Sequence, residues 1–150
     1  MTDADFDEMR RAMVASQLRT TGVNDARVLA AMGAVAREAF VPEERRGSAY
    51  ADALLPLGEG RALSPPMALG LLLTEARLRG DERALVIGAG TGYSAAVLAR
   101  LVAHVVALEQ PGTLAALSNA ALPPLGVEMA DGPHAPVSYT HLTLPTKRIV

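Results

Sequence analysis

The stretch that most constrains this chain runs Ala84-Leu85-Val86-Ile87-Gly88-Ala89-Gly90-Thr91-Gly92-Tyr93 and resumes as Ser94-Ala95-Ala96-Val97-Leu98-Ala99. An apolar run that breaks into glycines at alternate positions and then continues predicts a strand, a tight turn and a helix. The glycines let the backbone take positive φ and let a ligand approach where a Cβ would collide. The helix that follows offers unpaired N–H groups and the positive end of its dipole. A nucleotide-like ligand suits such a turn.

Beyond that turn the predicted elements alternate: a strand over 84–87, a helix over 93–102, a strand over 105–108, a helix over 113–121 and a short strand over 127–129. This order implies an α/β fold with a parallel sheet and right-handed crossovers. Three strands are few for a parallel sheet, which needs helices on both faces and more neighbours, so the sheet is expected to be incomplete.

Upstream, Met9, Met13, Val14 and Leu18 predict a first helix over 7–20, closed by Gly22. Asn24 is read as the N-cap of a second helix, with Val28, Leu29 and Met32 as its stripe before Gly33. Residues 50–60, punctuated by Pro56, Gly58 and Gly60, read as an ordered loop. Ser64 before Pro65-Pro66 reads as the N-cap of a helix over 67–78, ended by Gly80.

Composition narrows the function classes. The 150 residues suit one domain, and 50% hydrophobic with 20% charged residues is ordinary for a soluble globular protein. A formal net charge of -2 gives no electrostatic reason to expect nucleic acid or an anionic membrane as partner. No cysteine is present, so disulfides, thiolate nucleophiles and cysteine zinc sites are excluded. The acidic amino terminus is unlike a secretory signal, and the apolar stretch over 67–73 is too short to span a bilayer, so a cytoplasmic location is expected. His104, His134 and His141 are scattered, and no metal site follows from them.

A GxGxG turn between strand and helix serves both dehydrogenases and methyltransferases that use S-adenosylmethionine. The dinucleotide fingerprint wants its third glycine one residue later, where this chain has Tyr93. That spacing favours an adenosyl ligand without a pyrophosphate, with NAD as the less favoured choice. Glu109 ends the second strand, where an acid can accept hydrogen bonds from both hydroxyls of a ribose. A solvated carboxylate at a helix start is the plainer account of the same residue.

Several segments outside the turn carry a resemblance: residues 13–18, Val28-Leu29-Ala30-Ala31-Met32, Arg37-Glu38-Ala39-Phe40-Val41-Pro42, Ala49-Tyr50-Ala51-Asp52, Leu55-Pro56-Leu57-Gly58, and Leu63-Ser64 with Pro66. Together with the glycine turn they resemble the protein-L-isoaspartate O-methyltransferase family, in order from about residue 9 to residue 132. The resemblance implies a Rossmann-like methyltransferase fold with an N-terminal helical extension. It also implies transfer of a methyl group from S-adenosylmethionine to the free carboxylate of isoaspartyl residues in damaged proteins, the ester then collapsing to a succinimide. By motif it places Gly88, Gly90, Thr91, Gly92 and Tyr93 along the cofactor, Glu109 on its ribose, Asp131 at its adenine, and Ser64 beside the acceptor carboxylate as the catalytic position. The expected partners are isoaspartyl proteins or peptides, and a monomer is expected.

The chain departs from the family pattern at Ala62, Pro65 and Met67 in the acceptor segment, and at Val86, where an acid usually precedes the turn. A paralogue with another acceptor, or a non-catalytic S-adenosylmethionine-binding protein, therefore remains an alternative. Alanine, abundant up to Ala135, never appears after it. The threonine-rich residues 137–150 resemble translated sequencing adapter and read as a non-native tail. The organisation expected is thus an N-terminal helical and acceptor-loop region over 1–80, the first half of the cofactor domain over 81–136, and that tail. A chain so cut is expected to be unstable and inactive.

Overall fold

The computed structural model describes residues 1–110 and 112–131. The chain divides into two compact units, Met1–Arg77 and the part from Leu78 onward. The proposed tail lies outside the described residues.

In the first unit, helix α1 spans Asp3–Ala12 and starts earlier than hydrophobic spacing suggested. Its start is a capping box: the Asp5 N–H donates to the Thr2 hydroxyl at 3.3 Å, and the Thr2 N–H to the Asp5 carboxylate at 2.7 Å. The helix runs on as a π turn over Met13–Leu18 and a 3₁₀ turn over Arg19–Thr21. A π turn brings residues five apart together, and Met13 and Leu18 are its two buried side chains. Gly22 then ends it at φ 98°.

Helix α2 spans Ala26–Ala34 and buries Val28, Leu29, Ala31 and Met32. Its cap is Asp25, not Asn24: the Asp25 carboxylate accepts from the N–H groups of Arg27 at 2.8 Å and Val28 at 3.4 Å. Gly33 sits inside the helix rather than closing it, with Val14 3.6 Å from where its Cβ would stand.

The stretch read as a loop contains a hairpin, β1 (Leu55–Gly58) against β2 (Arg61–Leu63), antiparallel. Its two-residue turn, Glu59-Gly60, has φ 54° and 70°, the geometry that matches strand twist. Alternation was present, since Leu55 and Leu57 are buried and their neighbours exposed, but Pro56, Gly58 and Gly60 disguised it.

Helix α3 spans Pro66–Ala76. Ser64 is not its cap; Pro65 occupies that position, and the Asp52 carboxylate accepts from the Met67 N–H at 3.2 Å. The helix ends at Arg77, in the left-handed region, three residues before Gly80. Gly70 lets it pack closely, since a Cβ there would stand 2.9 Å from Val23 and 3.3 Å from Leu18.

The second unit holds a parallel sheet in the order β3 (Arg83–Ile87), β4 (His104–Glu109), β5 (Val127–Asp131). Helix α4 (Tyr93–Leu98) follows β3 and is shorter than expected, while α5 (Thr113–Ala121) follows β4. Burial alternates along β4, so Glu109 lies in line with Val105 and Ala107 on its buried face. No helix among the described residues is long and apolar enough to cross a membrane.

Candidate functional site

In the second unit the glycine turn leaves the end of β3 with Gly88, Gly90 and Gly92 at φ 69°, 61° and 103°. These are left-handed conformations that a residue with a Cβ adopts at a penalty. The Ala89 N–H donates to the Leu108 carbonyl of β4 at 3.0 Å, so the turn is stitched to the neighbouring strand. The Gly92 N–H returns to the Ala89 carbonyl at 2.9 Å, and the Ala96 N–H takes the Gly92 carbonyl at 2.9 Å to begin α4. Thr91 and Tyr93 are both buried.

Glu109 reaches this turn from the end of β4 and is itself buried. Its carboxylate accepts a short hydrogen bond from the Gly90 N–H and another from the Gln110 N–H at 2.8 Å. Parallel register sets Asp131 of β5 opposite Glu109. The structure thus brings Gly88, Gly90, Thr91, Gly92, Tyr93 and Glu109 together, with the backbone of Asp131 on the adjacent strand. Val86 is buried in β3.

One residue that bonds to this turn escaped the sequence reading. Ser118 of α5 is fully buried, and its hydroxyl donates to the Gly90 carbonyl. Its signal was a polar residue four positions after Leu114, on the apolar stripe of a predicted helix.

Ser64 belongs to the first unit, where its carbonyl accepts from the Arg37 guanidinium at 2.7 Å. Arg37 is fully buried; its Nε donates to the Ala49 carbonyl at 2.6 Å and its backbone N–H to the Tyr50 hydroxyl at 3.3 Å. Tyr50 in turn donates to the Glu38 carboxylate through a short hydrogen bond, and Arg10 reaches both, at 3.4 and 3.7 Å. Burial, and then the hydrogen bond to and charge of Glu38, push the Tyr50 phenol well above its ordinary value. Arg37 and Tyr50 carried the resemblance in sequence, but an arginine reads as a surface residue until its carbonyl partners are seen.

The remaining candidates are simpler. His104, half-buried, and Glu128, exposed, pair at 2.9 Å between β4 and β5. No group of three or more metal-ligating side chains occurs among the described residues.

A parallel sheet whose first strand leads into a glycine turn, with a buried acid closing the second, defines a nucleotide-binding α/β domain of the Rossmann-like class. Comparison narrows the class. The family model described as Protein-L-isoaspartate(D-aspartate) O-methyltransferase matches residues 9–135. Protein-L-isoaspartate O-methyltransferase 1 of Rhodopseudomonas palustris is 47% identical over 122 residues, covering 81% of this chain and 50% of that protein. The protein-L-isoaspartate O-methyltransferase of Methylorubrum populi is 46% identical over 127 residues, covering 85% and 58%. A solved protein-L-isoaspartate O-methyltransferase superposes with a TM-score of 0.68 at 25% identity, over 84% of this chain and 41% of that one. The chain belongs to the protein-L-isoaspartate(D-aspartate) O-methyltransferase family. It spans about half the length of the relatives it matches.

Proposed function

We propose that this chain serves an S-adenosylmethionine-dependent O-methyltransferase that esterifies the free carboxylate of isoaspartyl residues in damaged proteins. The observation that carries the proposal is Glu109: a buried carboxylate at the end of β4, bonded to the middle glycine of the turn. A carboxylate at the end of the second strand can accept from the hydroxyls of a ribose, which supports this reading. The reading includes cytoplasmic, monomeric action, with residues 1–80 on the acceptor side and 81–136 on the cofactor side.

The residues fit the adenosyl group. Gly88 and Gly90 keep the turn free of side chains at their two positions, while Gly92 packs against Leu122, and Glu109 supplies negative charge for a cationic ligand. In this reading Gly88, Gly90, Thr91, Gly92 and Tyr93 line the cofactor, Glu109 holds its ribose and Asp131 meets its adenine. When bound, S-adenosylmethionine supplies an electrophilic methyl group on a sulfonium. The acceptor is a carboxylate with an ordinary value near 3.9, already ionised at neutral pH, so no general base is required of the protein. Ser64 has the role of orienting that carboxylate, and orientation is worth about 7 to 11 kcal/mol when the geometry is right. The buried Arg37 holds the Ser64 backbone in place for it.

A paralogue acting on another acceptor is favoured by one feature. Asp52 occupies the first free N–H of α3, three residues from Ser64, so a second carboxylate arriving there meets a like charge. One assay separates the readings: labelled methyl transfer to an isoaspartyl peptide and to its aspartyl twin, with this chain extended by the rest of the Rhodopseudomonas palustris relative. Labelling of the isoaspartyl peptide alone is expected. Binding of S-adenosylhomocysteine without any labelling favours a different acceptor or a non-catalytic binder, and binding of NAD instead ends the methyltransferase reading.

A further inference from the structure

We propose that Ser118 is a positioning residue of the glycine turn: its hydroxyl fixes the Gly90 carbonyl toward α5, so that the Gly90 N–H meets Glu109 and the turn is set before a ligand arrives. The proposal rests on the reading that this turn holds the cofactor.

A glycine has more backbone wells than any other residue, and Gly90 sits in a left-handed one at φ 61°. Its two polar groups are anchored by side chains from different elements. Glu109 at the end of β4 takes the N–H, and Ser118 in α5 takes the carbonyl. A serine within a helix commonly satisfies its hydroxyl on a carbonyl one turn back. Here the hydroxyl reaches 28 residues back along the chain. The same face of α5 meets the turn twice. Leu114, Ser118 and Leu122 follow at four-residue spacing, each 2% exposed or less, and Leu122 lies where a Cβ on Gly92 would stand. The helix is thus the floor of the turn, and Ser118 is its polar contact with the residue that Glu109 also grips.

The test uses the 150-residue chain, comparing wild type with Ser118→Ala and Ser118→Thr. It reads backbone amide hydrogen exchange across the turn and β3–β4, and calorimetric titration with S-adenosylhomocysteine. In Ser118→Ala the turn amides are expected to exchange about three- to tenfold faster while the strand amides keep their rates, with Kd raised by a similar factor. In Ser118→Thr, which keeps the hydroxyl, the turn amides are expected to keep their rates relative to the strand amides even where the added methyl lowers overall stability. Unchanged turn exchange in Ser118→Ala overturns the proposal, as does uniform acceleration of turn and strands in both variants, which marks a packing residue. A wild-type turn that exchanges at the unprotected rate overturns it too. If Ser118→Ala does not fold, Ser118→Cys keeps the shape with a weak donor and takes the same readouts. Selective loosening of the turn in a chain that binds no S-adenosylhomocysteine sinks the cofactor reading and leaves the positioning role standing. Equal, measurable binding by wild type and Ser118→Ala together with unchanged turn exchange does the reverse.

Discussion

Gly92 carries two separate requirements. Its φ of 103° disfavours any side chain, and a Cβ would stand 2.8 Å from Cγ and Cδ1 of Leu122, which is fully buried. The left-handed penalty is about 1–2 kcal/mol and overpacking adds about 1–3 kcal/mol. Gly92→Ala is therefore expected to lower unfolding free energy by the sum of the two, measured by urea titration. Pairing it with Leu122→Ala relieves the collision but not the dihedral strain, so the double variant should lose less than the two single losses added. A strictly additive pair would mean that the Leu122 contact is unimportant. Glu109→Gln keeps the size and removes the charge that holds the Gly90 N–H. About a tenfold or greater rise in the Kd for S-adenosylhomocysteine is expected, from loss of a charge-assisted bond.

At the scale of elements, the start of α2 separates two adjacent residues that look equally suited to capping. The Asp25 side chain bonds the free N–H groups, so Asp25→Ala is expected to cost about 1 kcal/mol and Asn24→Ala close to nothing. Equal losses from thermal unfolding of the two variants would contradict that assignment. The turns between α2 and β1 depend on the cluster of Arg10, Arg37, Glu38 and Tyr50. The Tyr50 phenol is held above its ordinary value of 10.0 by burial and by Glu38, so folding favours its neutral form. A raised folded value means that this stabilisation is complete below pH 10.0 and is lost as pH climbs from there toward the folded value. The slope is at most about 1.4 kcal/mol per pH unit. Tyr50→Phe should flatten the alkaline limb of the stability curve while lowering stability at neutral pH. An unchanged alkaline slope would remove Tyr50 as its source.

For the molecule as a whole, ligand linkage is the most direct check on function. S-adenosylhomocysteine at about a hundred times its Kd is expected to add about 2.7 kcal/mol to the stability of the unit that holds the turn. A scan in which NAD raises the transition and S-adenosylhomocysteine does not would reverse the cofactor assignment. Charge supplies a second check. A net charge of -2 predicts no retention on immobilised DNA at ordinary salt.

Much of the cofactor side was legible in the sequence because its signals are local. Alternating glycines after an apolar run announce a turn with positive φ, and an acid two residues beyond Ala107 on an alternating strand falls on the same face. The acceptor side was harder to read. Pro56, Gly58 and Gly60 looked like loop punctuation although the chain pairs across them. Ser64 looked like a cap, but Pro65 took that place and Asp52, from 15 residues away, took the first free N–H. Asp25, Arg37 and Ser118 share a reason for being missed or misplaced: each acts by choosing among backbone groups that only the folded chain presents. Sequence by itself determined the order of strands and helices from β3 onward and the glycine turn, since periodicity and backbone permissiveness are properties of neighbours along the chain, and its motifs carried the resemblance to the family. Tertiary structure alone decided which carboxylate grips Gly90, which hydroxyl fixes its carbonyl and which guanidinium holds Ser64, because hydrogen bonds between distant segments depend on positions that no local pattern encodes.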